Sequence, residues 1–450
     1  MENHVLSGIM GLCVGDALGV PVEFKSREYL KSSPVLGLCG YGTHNQKLGT
    51  WSDDTSLSLC LADSLNHGLD YDDIMNRFSL WLSRGEYTAS GEVFDVGIST
   101  RKAIKCYQSG GAPLSCGGSN ENDNGNGSLM RILPLLFYLQ ALYGIDFQEN
   151  DEAFEMIHNV SSLTHAHNRS KIACGIYLSV AAMLLGNMDL KSAVNLGIFK
   201  ALDYYGRHKE FKNELKHYDR LIDSSFFSLT ENEIRSSGYV VDTLEAAIWC
   251  LVNSSTYKEC VLKAVNLGND TDTVAAVAGG LAGLYYGYNG IPKNWIEKIL
   301  NLGYVEEIAN RLNDTLKRSS IAVLYKFVPY FEAAFDKKVC NWQGGGKISD
   351  NFYSTSHPVY DSELYDFIRK FERSNLVFFN YVDVIDKYQL DNTELMNDAI
   401  EKADLELTLA ILTGYIRQER FCDGLWEDAL KEGTFLKLIK RLDSLSVKSK

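Results

Sequence analysis

Apolar residues along this chain of 450 residues recur mostly at helical spacing. Ile74, Phe78, Trp81 and Leu82 share one face, as do Leu244, Ala247, Ile248, Leu251 and Val252, so both stretches predict amphipathic helices. Alternating strand patterns are scarce before residue 320. Two apolar runs, Leu57 to Leu65 and Val274 to Leu284, are each entered through a polar cluster. Gly279, Gly280 and Gly283 in the second run lack side chains, which would let a neighbouring helix come close and suits the centre of a bundle. Extended to Ile291, this run superficially resembles a membrane span. Its five glycines, its tyrosines and its aspartate-rich entrance predict a packed core helix instead. The stretch from Ser109 to Ser128, rich in Gly, Asn and Ser, predicts a long loop, and loops of that length inside domains are often functional.

The pattern changes near residue 318. A helix over roughly Val305 to Leu316 gives way to residues suggesting strands and turns, Ile321 to Phe335 and Trp342 to Gly346. Between Pro358 and Gly414 there is then neither proline nor glycine. Leu364, Phe367, Ile368 and Phe371 form one apolar face there, and Leu405, Leu409, Leu412 and Ile416 another. This predicts a domain over residues 1–317 and a smaller one over residues 318–450, β-rich at its start and helical beyond.

Charge narrows the partners. The formal net charge is -14, of which the first 317 residues carry -11, and this disfavours nucleic acid or an anionic membrane as a partner. The ten cysteines include no CxxC pair, and Cys13, Cys60, Cys174 and Cys250 fall inside apolar helical runs. They read as small buried hydrophobes in a reducing compartment. The N-terminus lacks a basic segment and Asp16 interrupts the apolar stretch that follows, so no signal peptide is expected. A cytoplasmic protein without a membrane segment is expected.

Candidate chemistry begins with the two polar clusters, Trp51-Ser-Asp-Asp-Thr55 and Gly268-Asn-Asp-Thr-Asp-Thr273. Ser, Thr and Asp satisfy the free backbone donors of a helix start, and either cluster alone reads as a cap. A cap needs one short polar side chain. Here Asp53 with Asp54, and Asp270 with Asp272, place two carboxylates at each start. Four carboxylates with hydroxyls make a ligand set for two hard divalent cations, magnesium or manganese.

Other segments put polar groups in unusual company. Glu23 follows Gly19 and Pro21, where regular structure breaks, as a carboxylate at a site mouth would; the plain alternative is a solvated turn. Asp95 is bracketed by apolar residues, again with a satisfied cap as the competing account. Gly125-Asn-Gly-Ser128 runs into an apolar helix from Ile132, and backbone N–H groups at such a start can hold phosphate oxygens. His165 and His167, two apart, would diverge on a helix, which argues against a two-histidine zinc site. Gly238 with Tyr239 offers a ring that could stack on a base, or an ordinary core tyrosine.

The ordered segments GDALGVPVE, WSDDTSL, FDVGIST, NGSLMR, THAHNRS, SGYVVDTLEAA and GNDTDTVAAVAGGLAG resemble the ADP-ribosylglycohydrolase family, which includes the dinitrogenase-reductase-activating glycohydrolases. The likeness covers roughly residues 5 to 300. It implies an all-α, orthogonally packed bundle with a dinuclear magnesium or manganese site. It also implies Ser52, Asp53, Asp54, Asp270, Asp272 and Thr273 as ligands, with Ser52 where many relatives carry Thr. Asp95 matches an aspartate facing the substrate ribose and Glu23 a glutamate near the metals, so these two are the catalytic candidates. Asn126, Gly127 and Ser128 match a phosphate loop, His165 a substrate-side histidine, and Gly238 with Tyr239 the adenosine side. The activity implied is metal-dependent hydrolysis at the anomeric carbon of an ADP-ribosyl group on a protein or small molecule. The alternative is a non-catalytic ADP-ribose-binding or scaffold protein of the same fold.

The tail from Arg417-Gln-Glu-Arg-Phe-Cys-Asp-Gly424 through Gly433 and Arg441-Leu442 resembles a small uncharacterised bacterial domain. That resemblance supplies no activity, and a module for an unknown protein partner is a third reading. Arg417, Glu419 and Arg420 read as a surface ion-pair group.

Overall fold

The computed structural model describes residues 3–447 apart from residues 187, 336, 346, 350, 351, 354 and 379. The chain divides into two compact units, residues 2–314 and 315–450. The first unit is all-α. Its central pair is His4–Gly19 and Thr271–Tyr286, both almost wholly buried. Small residues explain how two helices with no polar face can lie side by side. Gly11, Gly15 and Gly19 recur at four-residue spacing, and a Cβ on each would strike the backbone of Gly279, Ala275 and Asp272 in turn. The glycines thus let main chain meet main chain, and the Tyr257 hydroxyl donates to the Gly11 carbonyl at 2.7 Å. The helices Val240–Val252 and Tyr257–Asn266 pack against Thr271–Tyr286, and Asp53–Ser64 packs against His4–Gly19.

Among the described residues one helical stretch, His4–Val22, is long and apolar enough to cross a membrane by length and composition, but 89% of its apolar window is buried inside the fold. The run after Asp272 is also a buried core helix. None of the ten cysteines is paired.

The second unit holds its own apolar core, in which Phe331, Phe367, Leu412 and Phe435 are buried. The expected strands over Ile321 to Phe335 are absent. The helix Leu302–Tyr325 runs through this region and is followed by a second, Val328–Ala334. Residue type suggested β structure, but the buried positions Ile321, Leu324, Val328 and Phe331 advance by three and four, and that spacing prevailed. Strands begin at Cys340–Gln343, paired antiparallel with His357–Tyr360, and a shorter antiparallel pair joins Lys347–Ser349 to Phe352–Tyr353. The remainder is helical, led by Ser362–Arg373, Leu405–Gln418 and Thr434–Val447.

Candidate active site

Both acidic clusters stand at helix starts and meet the end of the N-terminal helix. Ser52 caps Asp53–Ser64, accepting from the Asp54 N–H at 3.3 Å. Asp16, near the end of His4–Gly19, reaches across to the same start. Its carboxylate accepts from the backbone N–H groups of Ser52 (2.9 Å) and Thr55 (3.0 Å) and from the Thr55 hydroxyl (2.6 Å). Asp16 therefore takes over the capping, and Asp53 and Asp54 are released from it.

The second cluster is freed likewise. Asp270 is the N-cap residue of Thr271–Tyr286 yet makes no side-chain capping bond. Its Oδ2 accepts from the Asn126 side chain at 2.8 Å. Asp272 accepts from the Thr273 N–H at 2.9 Å, and the Thr273 hydroxyl donates to Asp54 at 3.3 Å, linking the clusters. A cap explains Ser52 but not these aspartates.

Carboxylate oxygens of Asp16, Asp54 and Asp272 lie within 4.8 Å of one another, and so do those of Glu23, Asp270 and Asp272. Asp54 and Asp272 are each fully buried with an Oδ2 that has no hydrogen-bond partner. Burial first, and then the neighbouring negative charges, push both carboxyls well above their ordinary range, and Asp53 with them. Burial raises Asp16 to about 6 against the bonds it accepts. Orphaned carboxylate oxygens are costly in a protein interior. Oxygen donors aimed at a shared point, with too little positive charge from the protein, suit magnesium, manganese or calcium rather than a soft metal.

The rim is built from loops. Glu23 is buried and hydrogen-bonded to the His44 imidazole. Polar atoms of Glu23, His44 and Asp95 lie within 4.8 Å of one another. Burial lifts Glu23 to about 7, outweighing the opposite pull of His44, while the bond to Glu23 raises His44. Asp95 is half-buried and likewise raised, chiefly by burial. The backbone here is strained. Phe24, Tyr41, Asn45, Asp95 and Asn269 all adopt positive φ without being glycine, the kind of conformation that persists where the surroundings impose it and that clusters at functional sites. The Phe24 N–H donates to the Asn269 carbonyl at 2.7 Å, tying the loop of Glu23 to the loop of Asp270.

The Gly-rich loop forms a third wall. Isolated bridges join Gly125 to Tyr239 and Gly118 to His165, and the Asn126 N–H donates to the Gly238 carbonyl at 3.1 Å. The absent side chain of Gly127 leaves room for the His165 ring, and a Cβ on Gly238 would lie 3.1 Å from an Asp270 oxygen. His165 is buried and neutral, its pKa held down to about 3 by burial and by Arg131. Arg131 donates to the Thr164 hydroxyl at 2.7 Å, and that hydroxyl contacts His165 Nδ1 at 2.8 Å. With Arg131 on its lone pair, Thr164 can give its proton to Nδ1, which puts the imidazole N–H on Nε2, beside Gly125 and Gly127. Arg169 lies over the Tyr239 ring at 5.7 Å.

The candidate site residues of the first unit lie at the two acidic helix starts, on the rim and along the Gly-rich loop, with two particulars. The Ser128 hydroxyl is turned into the core, accepting from Ser161 at 3.0 Å, so Ser128 offers the loop only its backbone. His165 and His167 precede the helix Asn168–Leu184 rather than lying on it, and His167 caps it through the Arg169 N–H. Asp16 and His44 were not singled out as site residues. Asp16 looked like an interruption in an apolar run, and His44 sits in a loop without periodicity.

An all-α unit gathers five aspartates and a glutamate around orphaned oxygens, the donor set of a candidate hard-cation site. A family model described as ADP-ribosylglycohydrolase matches residues 1–321, and the chain belongs to that family. An ADP-ribosylarginine hydrolase Tri1 from Pseudomonas putida is 31% identical over 315 residues, covering 69% of this chain and 78% of its own. An ADP-ribosyl-[dinitrogen reductase] glycohydrolase from Rhodospirillum rubrum is 31% identical over 306 residues, covering 66% and 91%. A solved structure described as an ADP-ribosylglycohydrolase-related protein complex matches with a TM-score of 0.56 at 30% identity, over 70% of this chain and 98% of that one. Residues 316–448 match a separate family of unknown function (DUF6508).

Proposed function

We propose that residues 1–317 form a metal-dependent hydrolase that cleaves the glycosidic bond at the anomeric carbon of an ADP-ribosyl group. The observation that carries this reading is the pair of buried, unpartnered oxygens of Asp54 and Asp272, drawn from clusters more than 200 residues apart. With Asp53, Asp270, Ser52 and Thr273 they would hold two divalent cations, magnesium or manganese; Asp16 and Glu23 stand close enough to share the charge. Such cations, when bound, supply Lewis acidity toward sugar hydroxyls and water.

The chain's own groups do the rest. Asp95 and Glu23 face one space through His44, and one of them moves the proton: onto the departing acceptor atom as the bond to the anomeric carbon breaks, or off the water that replaces it. Burial that raises Glu23 to about 7 leaves it able to hold or release a proton near neutrality. The backbone of Asn126 to Ser128 and the His165 Nε2–H line the loop for the diphosphate, and Tyr239 offers its ring to the adenine. Intact acidic clusters favour catalysis over the non-catalytic reading. Relatives named for ADP-ribosylarginine make an arginine-linked ADP-ribose the first substrate to try, beside serine-linked and free ADP-ribosyl compounds. Release of ADP-ribose from one of these with magnesium or manganese, and none in chelator, is the expected result. No release from any linkage with either metal would return the chain to a binding role.

A further inference from the structure

The second unit holds a pocket that the hydrolase reading does not use. It has a volume of about 530 Å³ and lies among Ser362–Arg373, the end of Leu405–Gln418 and the turn that follows. That is within the size of small-molecule sites, roughly 300 to 1,000 Å³.

Its back wall is held rigid from behind. Glu419 is buried rather than being part of a surface ion-pair group. Its carboxylate accepts from the Tyr360 hydroxyl (2.5 Å), the Gly424 N–H (2.9 Å) and the Trp426 N–H (2.7 Å). Gly424 turns the chain there with φ +96. The Trp426 indole N–H donates to the Tyr415 carbonyl at 3.1 Å, and its ring lies 5.2 Å from Tyr360 and 6.3 Å from Tyr365. Bonds within the unit thus hold Trp426 in place, and it lines the pocket together with Tyr365.

The mouth is charged differently. Arg369 is exposed and makes no ion pair among the described residues. Arg420 has one long contact, 3.5 Å, to Glu372, and its side chain is 71% exposed. Donors from Tyr360, Gly424 and Trp426 occupy the Glu419 oxygens, so neither guanidinium has a close carboxylate partner among the described residues: Arg369 has no ion pair and Arg420 has only its 3.5 Å contact to Glu372. Guanidinium groups pair with carboxylate or phosphate in a fork geometry, and an aromatic wall takes a flat ring.

We propose that this pocket binds a nucleotide-sized anion, its ring against Trp426 and Tyr365 and its phosphate on Arg369 and Arg420. The test uses the full chain and avoids adenosine, which the first unit's cleft would compete for. Calorimetric titration with 5′-UMP should show one saturable site, with uridine and inorganic phosphate each at least tenfold weaker. Arg369→Gln with Arg420→Gln, and separately Trp426→Leu, should each weaken 5′-UMP at least tenfold while leaving hydrolase turnover unchanged. Asp272→Asn in the other unit should leave 5′-UMP binding as it was. The proposal is overturned if 5′-UMP does not saturate at millimolar concentration, if phosphate alone binds as tightly, if the arginine pair has no effect, or if Asp272→Asn abolishes binding.

Discussion

Two regions of the first unit bury ionisable side chains and treat them in opposite ways. In the cleft, Asp53, Asp54 and Asp272 are driven toward protonation, and two of their oxygens find no partner. Around His158, between Asp151–Ser162 and Leu190–Arg207, the group is neutral and satisfied. Its Nε2 meets the Tyr205 hydroxyl at 3.0 Å, that hydroxyl donates on to the Lys171 carbonyl at 3.1 Å, and Phe154, Tyr204 and Phe211 surround the ring. Burial, assisted by Lys171 and His208, holds His158 down to about 3. One region contributes stability. The other gives stability up and gains a place for charge from outside.

The contrast breaks most sharply at the cleft. Asp54→Asn and Asp272→Asn keep the shape and remove the charge, so turnover should fall by at least about a thousandfold, a loss of roughly 4 kcal/mol of transition-state stabilisation. Without metal, both variants should melt no lower than the parent and should gain a few degrees, because the amide removes the cost of burying a carboxyl among like charges. A lower melting temperature with activity retained would make these aspartates structural.

At the rim the effect is smaller and divides the roles. At least one of Asp95→Asn and Glu23→Gln should lower kcat by about a hundredfold or more while ADP-ribose affinity holds. Normal turnover in both would remove the two carboxylates from the proton's path.

The aromatic layer should respond to acid and leave chemistry alone. His158 takes up its proton at about 6.5 when unfolded and at about 3 when folded, so its contribution is fully present above pH 6.5 and is lost as pH falls toward 3. This amounts to roughly 2 kcal/mol by pH 5. His158→Phe should flatten that acid limb, read by denaturant unfolding at pH 7 and pH 5, with kcat unchanged. An equally steep limb would place the titration elsewhere.

The helices and the doubled aspartates were legible because they repeat a local rule: apolar spacing, and polar residues at a helix start. What escaped was non-local. Asp16 matters because its carboxylate serves backbone donors 36 and 39 residues away, and nothing near it in sequence announces that. His44 has meaning only once Glu23 is beside it. The four-residue glycine spacing on His4–Gly19 was readable but went unused beside the more conspicuous glycines of the partner helix. At Ile321 to Phe335 bulky and β-branched residues outweighed a helical spacing that was present all along. The turn of the Ser128 hydroxyl into the core depends on Ser161 in another helix and has no local signal.

We propose for the first unit a single cation site, built from both acidic clusters, on which turnover depends. Its most direct test is calorimetric titration of metal-stripped protein with manganese, with hydrolysis of an ADP-ribosylated substrate followed at each addition. Saturation is expected near two equivalents, with activity rising in step with occupancy and neither response in Asp272→Asn. Full turnover by the stripped protein in excess chelator would contradict it.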